Sequence, residues 1–160
     1  MELITKVEIG KGSFCIEPHH RLLFVGSCFA ENMGRRLVDN ALRCLVNPYG
    51  TMYNPASILH SVERAIGEGM LKEGIDIAVF TLGTNHVYIL KETNEIVDNC
   101  QKRPQRLFRE EELSIEECAE YLRKAIALLR EINPEVKIIL TVSPIRYRKY
   151  GFHESQLSKA

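Results

Sequence analysis

Two nucleophilic side chains, Ser27 and Cys28, stand together where a short apolar run ends at Gly26. Apolar residues return after them at helical spacing, so the pattern predicts a strand that turns sharply into a helix. A turn of this kind presents a hydroxyl, a thiol and backbone N–H groups at the positive end of a helix. Attack on an acyl carbonyl is the chemistry that these groups favour. A tight turn whose small residues only permit close packing would explain the same pattern.

Polar residues also follow two further predicted strands, in the segments Asn47–Gly50 and Gly83–His86. Because parallel strands bring their carboxyl ends to one edge of a sheet, we expect these segments to converge with the first turn. The N–H of Ser27 or Cys28, the N–H of Gly50 and the side-chain amide of Asn85 would then form a donor set for a developing oxyanion. Asn85 is equally compatible with an asparagine that simply ends a strand.

Apolar runs and helical periodicities alternate along the chain, and this order predicts the elements that must position the polar segments. The predicted strands are 22–25, 44–46, 75–82 and 136–142, with a hairpin formed by 87–90 and 95–97. Helices are predicted after Ser27, from Asn54 or Ser57 to about Gly69, and from Ser114, with Glu117 as capping-box partner, to Pro134. Alternating strands and helices favour one α/β domain over residues 1–160, a three-layer α/β/α sandwich with a mostly parallel sheet.

Composition excludes several classes of function. The 160 residues carry 21 basic and 21 acidic side chains, so no net charge favours nucleic acid or an anionic membrane. No run of 18 apolar residues and no basic-then-apolar leader is present, and we expect a cytoplasmic protein. Five cysteines without a C-x-x-C pair argue against a zinc site or a disulfide framework, so no metal or cofactor is expected.

The five residues Gly26–Ala30 read Gly-Ser-Cys-Phe-Ala, and the polar segments follow them in a fixed order. This arrangement resembles the GSCFA-domain family, and more broadly the SGNH (GDSL-like) hydrolase superfamily. Further matching segments are Asn47–Thr51, Thr81–Thr84, Asn99–Lys102, Thr141–Arg146 and Ser158–Ala160. The resemblance implies a flavodoxin-like layering and an esterase or acyltransferase acting on small acyl esters, including carbohydrate-linked ones.

The chain departs from the superfamily pattern at the nucleophile. With Gly34 as the closing glycine of that motif, the nucleophile column falls on Cys28, whereas a shift of one residue places it on Ser27. Cysteine is the better intrinsic nucleophile near neutral pH, and a helix N-terminus stabilises its thiolate. Serine is the superfamily's usual nucleophile, so both residues remain candidates.

A second departure concerns the catalytic base, since His86 stands where the superfamily has aspartate and no late Asp-x-x-His block is found. We therefore expect that a longer protein has been cut after the N-terminal half. His86 is a candidate base or substrate contact, and His153 resembles a family position that lines the site. Gly26 and Thr84 are expected to contact substrate as neighbours of the catalytic turns.

Arg146 and neighbouring basic residues after the last strand are candidates for a rim that binds an anionic or sugar-linked acyl substrate, although a solvated loop edge explains them as well. Tyr49, Tyr53 and Tyr147 could stack on a carbohydrate ring. Two rival functions remain open. One is a binding domain that holds an anion at the helix N-terminus without chemistry. The other is an incomplete enzyme half, whose exposed sheet edge would predict a homo-oligomer.

Overall fold

A computed structural model describes residues 10–98, Cys100, 103–145 and 148–157. Its strands are β1 (Arg21–Gly26), β2 (Arg43–Val46), β3 (Ile77–Leu82), β4 (His86–Leu90), β5 (Glu95–Val97), β6 (Phe108–Glu112) and β7 (Lys137–Val142). Its α-helices are α1 (Cys28–Asp39), α2 (Pro55–Gly67), α3 (Ile115–Ile132) and α4 (Gly151–Leu157). Strands β2, β1, β3 and β7 pair in this order as a parallel sheet. The predicted mostly parallel α/β fold is confirmed.

The central strands bury both of their faces, as their continuous apolar sequences predict. Leu23 and Phe80 pack with residues of α2 and α3, in a core that includes Val62 and Leu129. Their sequence neighbours on the strands face the other way, where Ala30 of α1 packs against the sheet. Helix α1 therefore covers one face of the sheet and helices α2 and α3 cover the other, which gives the α/β/α layering.

Two helices begin at N-cap residues that were predicted from the sequence. Asn54 Oδ1 accepts a 2.9 Å hydrogen bond from Ser57 N, so α2 starts at the first of the two predicted caps. Ser114 and Glu117 form the predicted capping box at the start of α3. These caps satisfy N–H groups that the first helical turn cannot pair internally.

A second, antiparallel sheet has the strand order β5-β4-β6 and lies beside the carboxyl ends of the main sheet. The hairpin of β4 and β5 confirms the prediction, but strand β6 was missed. Its sequence, Phe-Arg-Glu-Glu-Glu, has neither an apolar run nor an apolar alternation. Pairing with β4 makes it a strand, and that pairing is a tertiary contact which sequence periodicity does not contain.

Strand β7 lies at one end of the parallel sheet, and among the described residues no strand pairs with its outer edge. Leu140 and Val142 are about half exposed there.

None of the described helices is long and apolar enough to cross a bilayer.

Candidate active site

The turn after β1 is held by Ser27, which is 5% exposed. Its N–H donates to Thr81 Oγ1 at 2.7 Å, and its own Oγ lies 2.9 Å from the same hydroxyl. Ser27 Oγ also accepts a 3.2 Å hydrogen bond from Phe29 N, as the N-cap of α1. The structure therefore uses the Ser27 hydroxyl to join β1 to β3 and to begin the helix.

Gly26 provides the space for this turn. It has a φ of 142°, and a Cβ added to it would lie 2.3 Å from the carbonyl oxygen of Thr81. Its N–H donates to Asn47 Oδ1 at 2.9 Å, and its carbonyl accepts from Met52 N at 2.8 Å. These contacts give Gly26 a structural role, as the residue that allows β1 and β3 to approach closely.

Cys28 is the first residue of α1, and its thiol is free and exposed. It lines a cavity of about 500 Å³ at the carboxyl end of the sheet. The described residues that line this cavity are Cys28, Thr51, Tyr53, Asn54, Thr84, His86, Tyr88, Val97, Asp98, Cys100, Ile145 and Tyr150. Other surface cavities reach about 610 Å³, so the chemistry of the lining and not the volume distinguishes this one. Two predicted segments, around Cys28 and around Thr84, thus meet at one cavity.

His86 lies in the wall of the same cavity and is 7% exposed. Its Nδ1 is 3.6 Å from Glu110 Oε1 and its Nε2 is 3.3 Å from Glu112 Oε1. Nε2 is nevertheless buried without a hydrogen bond among the described residues, because the short distance to Glu112 does not have hydrogen-bonding geometry. The ring stacks on that of Tyr150, with 3.9 Å between centroids and 4° between planes. The imidazole is thus covered on one face and flanked by two carboxylates.

Two side chains, Lys149 and Tyr150, hold the Glu110 carboxylate in place. Burial alone would raise its pKa, but hydrogen bonds from Lys149 Nζ and from Tyr150 Oη hold the pKa below the usual value of a glutamate. The Tyr150 hydroxyl donates at 2.5 Å, and its pKa is raised by burial and by this acceptor. Lys149 also donates to Tyr88 Oη at 3.2 Å. Lys149 is one of the basic residues near Arg146 that were predicted to form a rim. It is paired with the Glu110 carboxylate.

Two of the predicted oxyanion donors make other contacts. The N–H of Gly50 donates to Asn47 O at 2.9 Å and closes a turn. The Asn85 amide donates to Leu113 O at 2.9 Å, and its Oδ1 is buried with no partner in the described part of the chain. Neither residue is among those that line the Cys28 cavity. Their role as oxyanion donors stays a prediction, which these contacts do not support.

Some of the remaining residues predicted to contact substrate line the cavity, and others do not. Thr84 lines the cavity, and its hydroxyl accepts from His86 N at 3.1 Å. His153 is exposed on α4, and Arg146 lies outside the described residues. Tyr53 lines the cavity, whereas the Tyr49 hydroxyl donates at 2.9 Å to Glu68, the C-cap residue of α2.

The fold brings to this region three residues that were not predicted as site residues, Glu110, Asp98 and Tyr150. Glu110 belongs to the strand that was missed. Asp98 follows β5 and lies 2.9 Å from His60 Nδ1 on α2, a contact that raises the pKa of His60 and fixes this wall of the cavity. In β4, His86 and Tyr88 alternate with the aliphatic Val87 and Ile89, and this alternation is a local signal that could have indicated a cavity wall here.

No group of three or more histidine, cysteine, aspartate or glutamate side chains among the described residues is arranged to hold a metal ion. Comparisons with curated proteins and with solved structures returned no match. A family model, that of the GSCFA family, matches residues 21–75 and 70–160 and so covers both the Cys28 turn and the His86 strand. The chain belongs to the GSCFA family.

Proposed function

We propose that this chain is an acyl-transfer domain of the SGNH type, an esterase or acyltransferase whose nucleophile is Cys28. The observation that carries the proposal is the position of an exposed thiol on the first residue of α1, in a cavity whose wall contains His86. A helix N-terminus favours negative charge, so it stabilises an oxyanion formed beside it.

Cys28 is a better candidate than Ser27 because of what surrounds each side chain. The Ser27 hydroxyl is buried and engaged with Thr81 and with the backbone of α1. Attack by this oxygen would break the cap of the helix that stabilises the reaction. The Cys28 thiol is exposed and carries no such structural duty. The register that aligns Cys28 with the superfamily nucleophile agrees with this choice.

The proposed reaction has two steps. First, the Cys28 thiol gives its proton to His86 while Sγ bonds to the acyl carbonyl carbon. The ester C–O bond then breaks, and the leaving alcohol takes the proton, which leaves a thioester on Cys28. Second, water or another alcohol gives its proton to His86 as its oxygen attacks the thioester carbonyl, the C–S bond breaks, and His86 returns the proton to Sγ, so the acid or new ester is released and the thiol is restored. Glu110 and Glu112 would stabilise the imidazolium formed in each step.

The cavity lining supports an uncharged acyl ester as substrate. Its described residues include three tyrosines, two threonines and one asparagine, but no lysine or arginine. Tyrosine rings beside hydrogen-bonding groups suit a sugar or another polar ring. The described part of this lining gives little support to the rival function, binding of an anion without chemistry, because the carboxylate among its residues is that of Asp98.

Brief exposure of the folded protein to p-nitrophenyl acetate, followed by intact-mass and peptide mapping, tests the proposal. Cys15 is an internal control because its thiol is also exposed but is not part of the cavity lining. We expect acetylation of Cys28 at least tenfold faster than of Cys15, with the difference lost in urea. The Cys28→Ala variant should lose the adduct, and the Ser27→Ala variant should keep it. Equal labelling of Cys15 and Cys28 in the folded protein would refute the proposal.

A further inference from the structure

The ring of Tyr150 reaches His86 from a distant part of the chain. It belongs to a short helical turn, Arg148–Tyr150, that precedes α4, whereas His86 begins β4. The two rings are nearly parallel and their centroids are 3.9 Å apart, which is direct face-to-face contact. With one face covered, the buried imidazole cannot tilt away from the β4–β6 surface without displacing Tyr150.

The hydroxyl of Tyr150 makes a second connection to His86, through Glu110. It donates to Glu110 Oε1 at 2.5 Å, and this same oxygen lies 3.6 Å from His86 Nδ1. Lys149 holds the other carboxylate oxygen. Hydrogen bonds from a tyrosine and a lysine keep Glu110 ionised, in agreement with its lowered pKa. Tyr150 thus contacts the imidazole and also fixes the carboxylate at its Nδ1 edge.

Glu112 differs from Glu110 in its freedom to move. It stands opposite His86 in the β4–β6 register and its side chain is about half exposed. Its oxygen lies 3.3 Å from Nε2 without hydrogen-bonding geometry. Glu112 is therefore free to move away from Nε2, whereas Glu110, 3.6 Å from Nδ1, is itself held in place by Tyr150 and Lys149.

We propose that Tyr150 is a positioning residue, which holds His86 by ring stacking and through Glu110 so that the imidazole can accept the proton of Cys28. The inference rests on the proposed function, in which His86 takes that proton. It assigns the orienting role to residues of β6 and of the turn before α4, within the described part of this chain.

Two readouts test the inference, one of which does not depend on activity. The first is the NMR spectrum of the five histidine rings, with His86 assigned from the His86→Gln variant. Stacking on Tyr150 should shift the His86 ring protons upfield. The second is the rate of Cys28 acetylation as a function of pH, with Glu110, Glu112, Lys149, Tyr88 and Tyr150 as the titratable groups around His86.

We expect Tyr150→Leu to remove the upfield shift and to slow acetylation roughly tenfold or more, since small displacements of reacting groups have large effects on rate. Tyr150→Phe keeps the ring and should retain the shift and most of the rate. Tyr121→Leu is the matched control, because it removes a half-buried tyrosine of α3 that neither lines the Cys28 cavity nor stacks on His86. If Tyr150→Leu does not fold, Glu110→Gln is measured with the same two readouts, and a wild-type rate would overturn the inference.

Unchanged His86 signals or an unchanged rate in folded Tyr150→Leu would overturn the inference and leave the nucleophile assignment intact. Failure of the wild-type protein to acetylate Cys28 is a different result. It would overturn the proposed function, and the positioning role with it, even if the NMR spectrum showed the stacked rings.

Discussion

Replacing Gly26 by alanine should strongly destabilise the fold, because this glycine meets two independent constraints. Its φ of 142° lies in a region that side chains rarely adopt. The added Cβ would also lie 2.3 Å from Thr81 O and 2.8 Å from Thr81 N, which are backbone atoms of the central strand β3. Backbone atoms in a paired strand cannot rotate away as a flexible side chain can.

The size of the effect follows from the two constraints. The unfavourable backbone conformation costs about 1–3 kcal/mol, and overpacking in a tight core costs about 1–3 kcal/mol more. We expect a decrease in the free energy of unfolding of about 4 kcal/mol. Gly50→Ala is the matched control, because Gly50 has a φ of 90° but no atom within 4 Å of an added Cβ. It should lose only the conformational part, about 1–3 kcal/mol.

Urea unfolding followed by circular dichroism measures both variants. With a denaturant slope of about 2 kcal/mol per molar, Gly26→Ala should lower the midpoint by about 2 M, roughly twice the change in Gly50→Ala. Equal midpoint changes in the two variants would refute the reasoning, because they would show that the close approach to Thr81 adds nothing to the conformational strain.

Three further outcomes are expected. His60→Gln should destabilise the protein by about 0.5 kcal/mol at low pH. The hydrogen bond with Asp98 raises the pKa of His60 in the folded state, so the full difference is expected below the pKa of His60 in the unfolded chain and should disappear as pH rises through its pKa in the folded protein. Urea midpoints measured across pH would show this. Ser114→Ala should cost about 1 kcal/mol through loss of the α3 cap, which thermal unfolding would detect, and an unchanged midpoint would contradict it. Self-association through the β7 edge remains a proposal: light scattering should find a concentration-dependent oligomer that Leu140→Lys weakens, and a monomer at all concentrations would argue against it.

The elements with strong local patterns were predictable from the sequence. Strands β1, β2, β3 and β7 are nearly continuous apolar runs, and α2 and α3 begin at caps that can be read as Asn54 and Ser114. Strand β6 was not predictable, since its charged sequence becomes a strand only by pairing with β4. The hydrophobic pattern records which face of an element is buried, but it contains no information on which distant strand will pair with it.

The candidate site was predictable only in part. The sequence placed Ser27, Cys28, Thr84 and His86 at strand ends that should converge, and three of these residues line one cavity. It also predicted N–H donors at Gly50 and Asn85; these groups donate to Asn47 and Leu113 in the structure, and their role as oxyanion donors stays a prediction. Hydrogen bonds of this kind depend on loop conformation, which neighbouring residues in the sequence do not specify.

The sequence by itself determined the alternation of strands and helices, the turn at Gly26 and the membership of a family, because these depend on residue type and short-range spacing. Only the tertiary structure decided that the Ser27 hydroxyl is buried against Thr81 while the Cys28 thiol faces a cavity. It also decided that Tyr150 and Glu110 meet at His86. The physical reason is that the backbone changes from extended at Ser27 to helical at Cys28, so the two side chains point in different directions, and only the packing of α1 on the sheet decides which one is buried.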